Sequence, residues 1–172
     1  MIKRITSFSL PINEEDTFSL TIRLKYSEDV KSIDSIVDAY YSIVSYSKLQ
    51  ELNFERLKFL HLNNALIVKI DDCVGTHIIS LEAEYSMILN ELKKNCYKIE
   101  MSRIVTKHGD FAQVLSTYEI RTNPKVPTTI KGSNSIQLHY SNDRWWISTL
   151  TIQMETTSIL IDELVKRANI SY

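Results

Sequence analysis

The groups with which this chain could do chemistry are few: four histidines, two cysteines, and carboxylates and tyrosines on regular segments. Proton transfer beside a carbonyl needs a carboxylate base and a neutral acid, such as a tyrosine, to hold the developing enolate. Asp38 and Tyr41 stand three apart in "DAYY" and could look the same way from one helix. Asp38 falls outside the apolar stripe of that segment, so the plainer reading puts Tyr41 in the core and Asp38 in solvent. Dehydration or cyclisation would instead draw on a histidine and an acid. His61, at the end of "NFERLKFLH", is the best placed. His77 falls in a loop, His108 in a turn, and His139 on the strand face opposite Ile136 and Leu138. No spacing pairs any of them with a particular carboxylate, and a lone histidine is more often structural.

Asp71, Asp72, Cys73 and His77 share one loop, but their spacing matches no standard zinc or calcium pattern, and no metal is expected. No glycine-rich phosphate cradle and no nucleophile elbow is present, and no cofactor is called for. Cys73 and Cys96 lack CxxC spacing and read as two idle or buried thiols rather than one disulfide. The polar residues best able to line a pocket are Arg103, Tyr118, Glu119, Gln137 and Gln153, on adjacent strand segments where cross-strand partners touch. The same residues could form a network on a subunit interface, and the pattern does not say which strand face points inward.

The 172 residues carry a formal net charge of -1 and 44% hydrophobic residues, which suits one globular domain. No basic excess exists to neutralise phosphates, so nucleic acid is not an expected partner. No apolar run approaches the ~20 residues of a membrane span, so no membrane is expected either. The apolar stretch in "MIKRITSFSLPINEED" is broken by Thr6, Ser7, Ser9 and Pro11, and it does not read as a signal peptide. A cytoplasmic location is the expectation.

The elements that must position these residues follow from periodicity. Phe18, Leu20, Ile22 and Leu24 alternate with polar residues and predict a strand, which could pair with "SFSLPI". Val30, Ile33, Ile36, Val37, Tyr40, Tyr41 and Val44 form a helical stripe that Ser27 could cap. A short helix capped by Asn53 follows, then a strand at "NALIVKI" and the loop "DDCVGTH". The next helix, capped by Ser80, presents Leu81, Tyr85, Ile88, Leu89 and Leu92 and ends in Lys93 and Lys94. Four long strands come next, paired as hairpins at His108-Gly109-Asp110 and at Ser141-Asn142-Asp143. A helix at 159–168 closes the chain. Strict alternation along "DRWWISTLTIQME" puts Trp146, Ser148, Leu150, Ile152 and Met154 on one face and Trp145, Ile147, Thr149, Thr151 and Gln153 on the other. One tryptophan should then meet the helices and the other a second subunit, each able to anchor an interface.

The strand region resembles a known superfamily. Gly109, Ala112, Val114, Ser116, Thr117, Tyr118 and Glu119, then Asn134, Ser135, Ile136, Gln137 and Leu138, then Arg144, Trp145, Trp146 and Ile147 resemble the nuclear-transport-factor-2-like superfamily. Within it they are most similar to a SnoaL-like branch of bacterial proteins of unassigned function. The likeness spans 30–156 and is strongest over 108–155; Ile152 departs from it, where relatives tend to carry an aromatic.

The resemblance implies an α+β fold: a cone-shaped, strongly bent antiparallel sheet wrapped around N-terminal helices, also called cystatin-like, with an extra N-terminal strand segment here. The single domain 1–172 would comprise a β extension (1–28), the core (29–156) and a short helix (157–172). The resemblance also implies a homodimer through the sheet and a conical pocket for a small apolar or aromatic molecule. That pocket would be lined from Tyr41, His61, Tyr85, Arg103, Tyr118, Glu119, Gln137 and Gln153. Isomerase, cyclase and dehydratase activities occur in the superfamily, as do members that only bind. A non-catalytic assembly module with no ligand is the alternative, and no residue is assigned a catalytic role.

Overall fold

The structure, a computed structural model, describes residues 14–47, 52–71, 75–91, 95–126, 130–156, 160–162 and 166, with the side chains of 14–19 and 91 outside that description. Four α-helices, α1 (Glu14–Tyr26), α2 (Ile33–Val44), α3 (Phe54–Leu60) and α4 (Leu81–Glu91), accompany six strands. These are β1 (His61–Asp71), β2 (Gly75–Ile79), β3 (Tyr97–His108), β4 (Phe111–Arg121), β5 (Lys131–Ser141) and β6 (Arg144–Met154). They form one sheet in the order β2-β1-β6-β5-β4-β3. Neighbours run antiparallel except β1 and β6, which are parallel, so the sheet is mixed rather than wholly antiparallel.

The helix-covered inner face carries Ala112, Val114, Ser116 and Tyr118 from β4, and Asn134, Ile136 and Leu138 from β5, all buried. The α2 stripe of Ile36, Val37, Tyr40, Tyr41 and Val44 packs on it. The cap of α2 is Ser32, not Ser27. Ser32 and Ser35 satisfy each other's backbone N–H groups reciprocally, while 27–30 forms a separate 3-10 turn. Asn53 caps α3 through the Arg56 amide and Ser80 caps α4 through the Ala83 amide, both as the sequence predicts.

Three expectations are corrected. Residues 18–25, read as a strand, lie in α1. Arg23 and Lys25 in its last turn suit the helix dipole, and Leu20 and Leu24, four apart, share an exposed side. No β extension therefore occupies 14–26; "SFSLPI" lies outside the described residues, as do Cys73, Leu92, Lys93, Lys94 and most of the C-terminal helix. Secondly, Gly75, Thr76 and His77 belong to β2 rather than to a loop. Thirdly, alternation in β6 breaks. Gln137 pairs with Thr149 but Leu138 with Ile147, leaving Ser148 as an extra residue whose Oγ donates to the Gln137 carbonyl at 3.1 Å. That bulge shifts the phase, so Trp145, Ile147, Leu150 and Ile152 are all buried on the inner face.

The turns between long strands follow local chemistry. Asn142 and Asp143 both adopt positive φ (52° and 59°), the two-residue hairpin that matches strand twist, and Gly109 takes φ 56° in the other hairpin.

Candidate functional site

At the end of the sheet away from these hairpins, the helices and the inner face leave a cavity of about 360 Å3. Apolar walls come from Val44, Ile88, Ile120, Ile152 and Met154, with Tyr40, Tyr46 and Tyr118. Into this wall project Lys98 from β3, Lys69 from β1 and Glu84 from α4.

Lys98 is placed by the end of α2. The Ser45 hydroxyl donates to the Lys98 carbonyl at 2.9 Å and accepts from the Lys98 amide at 3.0 Å. Next to it, Tyr46 and Cys96 exchange backbone hydrogen bonds of 2.7 and 2.9 Å. The Lys98 ammonium then sits 3.8 Å from the Tyr118 ring centroid, with the rings of Tyr40 and Tyr41 at 5.6 and 6.0 Å. Enclosure pulls its pKa down to about 8; the nearby Glu84 charge opposes that shift without cancelling it. Burial likewise pushes the Tyr40 and Tyr118 hydroxyls well above the usual tyrosine range, so both stay protonated. Glu84, buried on α4, stands 2.7 Å from Lys69 Nζ, with its Oε2 outside hydrogen-bond geometry.

Tyr118 can lie flat against the sheet because its neighbour on β5 is Gly132. A Cβ there would strike the Tyr118 ring and meet the Gln153 carbonyl at 2.7 Å. Tyr118 Oη points on to Met154 Sδ at 3.4 Å.

Beneath the cavity a buried polar chain runs outward. Asn134 Nδ2 donates to Tyr41 Oη at 3.0 Å, and Tyr41 Oη lies 2.7 Å from Ser116 Oγ. Ser116 in turn donates to Glu100 at 2.6 Å, and Glu100 pairs with Arg103. Arg103 also binds Asp34 and Asp38 on α2. A bulge at Met101 makes this possible: Glu100 pairs with Tyr118 and Ser102 with Thr117, which keeps Glu100 and Arg103 on the same face.

No protein-family model matches the chain. No curated protein matches it either. Solved structures do. A nuclear-transport-factor-2-like protein with a cystatin-like fold from Novosphingobium aromaticivorans aligns with TM-score 0.58 at 15% identity, over 93% of this chain and 100% of that one. A protein of unknown function with a cystatin-like fold from Nostoc punctiforme gives TM-score 0.55 at 9% identity, over 86% and 97%. The chain has the nuclear-transport-factor-2-like, cystatin-like fold. A proposed ketosteroid isomerase from Shewanella frigidimarina shares this fold at TM-score 0.51 and 15% identity, over 68% and 90% of the two chains.

Within this fold the residues singled out by sequence scatter. Tyr118 lines the cavity. Tyr41 lies in the core below it, tied to Ser116 and Asn134, while Asp38 is surface-exposed and committed to Arg103, so the two do not converge. Tyr85 packs on Phe54 with ring centroids 4.4 Å apart and reaches the Leu52 carbonyl. Glu119, Gln137 and Gln153 alternate with inner-face neighbours and so lie on the outer face, where Glu119 pairs with Arg121.

His61 is buried elsewhere. Its Nδ1 lies 2.8 Å from the Leu57 carbonyl, and it borders a separate cleft with Arg23, Phe59, Arg144 and Trp146. Arg144 stacks between Phe59 and Trp146 at 3.9 and 3.6 Å, so Trp146 is held from within the chain. Trp145 anchors the core, facing Tyr140 at 5.4 Å.

Sequence reasoning missed Lys98 and Glu84. Both had a signal. Glu84 falls at helical spacing between Leu81 and Ile88, a charge inside an apolar stripe, and the stripe that is buried is Leu81, Glu84 and Ile88, with Leu89 exposed. Cys96, Lys98 and Glu100 recur two apart, so a cation rides the inner face of a strand.

Among the described residues, no three His, Cys, Asp or Glu side chains come together as metal ligands would, and no helix is long and apolar enough to cross a membrane.

Proposed function

We propose that the protein binds a small apolar or aromatic molecule in the cavity bounded by Tyr40, Tyr118, Ile152 and Met154, and that Lys98 and Glu84 equip that cavity for metal-free acid–base chemistry. One observation carries the reading: an amine with a pKa of about 8 and a buried carboxylate converge on an apolar cavity of about 360 Å3. That volume lies at the lower end of small-molecule sites and suits a compact ligand of one or two rings. A titratable group perturbed by desolvation in a cleft, as Lys98 is, marks a functional-site candidate. The shared fold with a proposed ketosteroid isomerase supports proton transfer as the type of chemistry, by analogy of fold alone.

The assembly reading is favoured by a different surface, the outer face of the sheet, and belongs to the same molecule. A homodimer through that face leaves the inner cavity untouched.

The test is calorimetric titration with 1-naphthol, indole and phenol. Saturable binding of at least one is expected, weakened about tenfold or more in Met154→Trp, whose larger side chain fills the cavity. A wild-type protein that binds none of the three, while Met154→Trp retains the fold by circular dichroism, would overturn the pocket reading.

A further inference from the structure

We infer that the ligands of this cavity are aldehydes or ketones carried on an apolar body, and that Lys98 Nζ captures their carbonyl carbon as an imine. The inference rests on the pocket reading and deepens it.

The two lysines of the cavity are not equivalent. Lys69 Nζ is neutralised by Glu84 at 2.7 Å. Among the described residues, no carboxylate lies within 4.0 Å of Lys98 Nζ, whose neighbours are the faces of Tyr118, Tyr40 and Tyr41. Rings attract the ammonium form but cannot take its proton or hold it as an ion pair, and a lysine desolvated at the wall of an apolar cavity keeps an uncharged fraction that can act as a nucleophile. With its pKa near 8, about a tenth of Lys98 is uncharged at pH 7, against well under a thousandth for an exposed lysine.

The step balances without a co-reactant. The uncharged nitrogen attacks the carbonyl carbon, a C–N bond forms, and the oxygen becomes the hydroxyl of a carbinolamine. That hydroxyl leaves as water, taking with it both protons lost from nitrogen, and a C=N bond remains. Nothing is oxidised or reduced. Protonated, the imine withdraws electrons from the adjacent carbon, and of the two carboxylates lining the cavity, Asp71 and Glu84, the buried Glu84 is the one we assign to receive a proton from it.

The experiment is reductive trapping at pH 7. The full chain is incubated with benzaldehyde and cyanoborohydride, which reduces any imine to a stable benzylamine, and the adducts are mapped by peptide mass spectrometry. Lys98→Arg, which keeps the charge and loses the nucleophile, is treated in parallel. One dominant benzyl adduct at Lys98 is expected, formed about tenfold or more faster than at any other lysine and missing from Lys98→Arg. The 1-naphthol titration separates the two levels of the argument. Naphthol binding with benzylation spread evenly over surface lysines overturns imine capture and leaves the pocket standing. If none of 1-naphthol, indole and phenol binds and benzylation is also unselective, both readings are overturned.

Discussion

His61 is almost wholly enclosed, and a histidine in that position must shed its proton for the chain to fold well. Its Nδ1–H donates to the Leu57 carbonyl, which leaves Nε2 as a buried acceptor without a partner. Burial pulls its pKa down to about 4, with the Leu57 bond opposing the shift. The unfolded chain, with a pKa near 6.5, therefore binds more protons than the native state between these two values, and stability rises with pH across that interval. Well above pH 6.5 the shifted titration of His61 contributes no penalty. As pH falls through 6.5 toward 4 it removes on the order of 3 kcal/mol. Urea denaturation at a series of pH values should show this loss in wild type and a flatter profile in His61→Leu. Parallel profiles would mean that the imidazole is not held neutral. The same residue shows why site prediction from sequence failed here. A lone histidine at a helix end is as compatible with a ligand role as with burial, and only the distance between α3 and the cavity decides it.

At the scale of elements, bulges determine which side chains the cavity receives. In β6 the extra residue Ser148 returns Leu150 and Ile152 to the face already occupied by Trp145 and Ile147. In β3 the one at Met101 does the same for Glu100 and Arg103. Deleting Ser148 would remove the bulge yet keep the inner set together, because Ile147 and Leu150 then stand two apart and share a face by strict alternation. The deletion should leave the chain folded and cost no more than about 3 kcal/mol. Ser148→Ala, which removes only the hydroxyl bond to Gln137, should cost about 1 kcal/mol. Thermal denaturation checks both, and a deletion variant that failed to fold would show that the bulge does more than set the phase of β6.

Much at this scale was legible in sequence. The α2 stripe, the Asn53 and Ser80 caps and the two hairpins all follow from local rules. What escaped were features without a local signature. A bulge leaves the residue pattern intact while changing its phase. The parallel pairing of β1 with β6 is a long-range choice, and the alternation in 18–25 was overridden by helix-end charges and by the packing of Tyr26 against α3. Lys98 precedes the bulge at Met101 and shares a period of two with Glu100, but no local pattern tells which face of β3 turns inward.

For the whole molecule, the two sides of the sheet are suited to different work. The inner side is filled by helices except at the cavity. The outer side bears a midline of small polar residues, Ser133, Ser135, Gln137, Thr149, Thr151 and Gln153, each half-buried by its neighbours. Exposed Leu66 and Ile78 lie toward one edge, and Ile104 and Phe111 toward the other. The helical residues Ile161 and Asp162 reach the end of β5 and β6, where the Ile161 amide donates to Glu155 and Lys131 pairs with Asp162. A flat polar centre between apolar margins is self-complementary about a two-fold axis, which is the commonest way for identical chains to associate. The proposed homodimer places Ser135 and its cross-strand partner Thr151 near that axis. An arginine at either position meets its own symmetry copy, and like charges brought together out of water cost several kcal/mol. Sedimentation of wild type at micromolar concentration should give a dimer, and Thr151→Arg a monomer. Because Thr151 faces away from the cavity, the monomer should still bind 1-naphthol as wild type does. Loss of both properties together would mean that the dimer shapes the cavity, and a wild-type chain monomeric at high micromolar concentration would remove the dimer altogether.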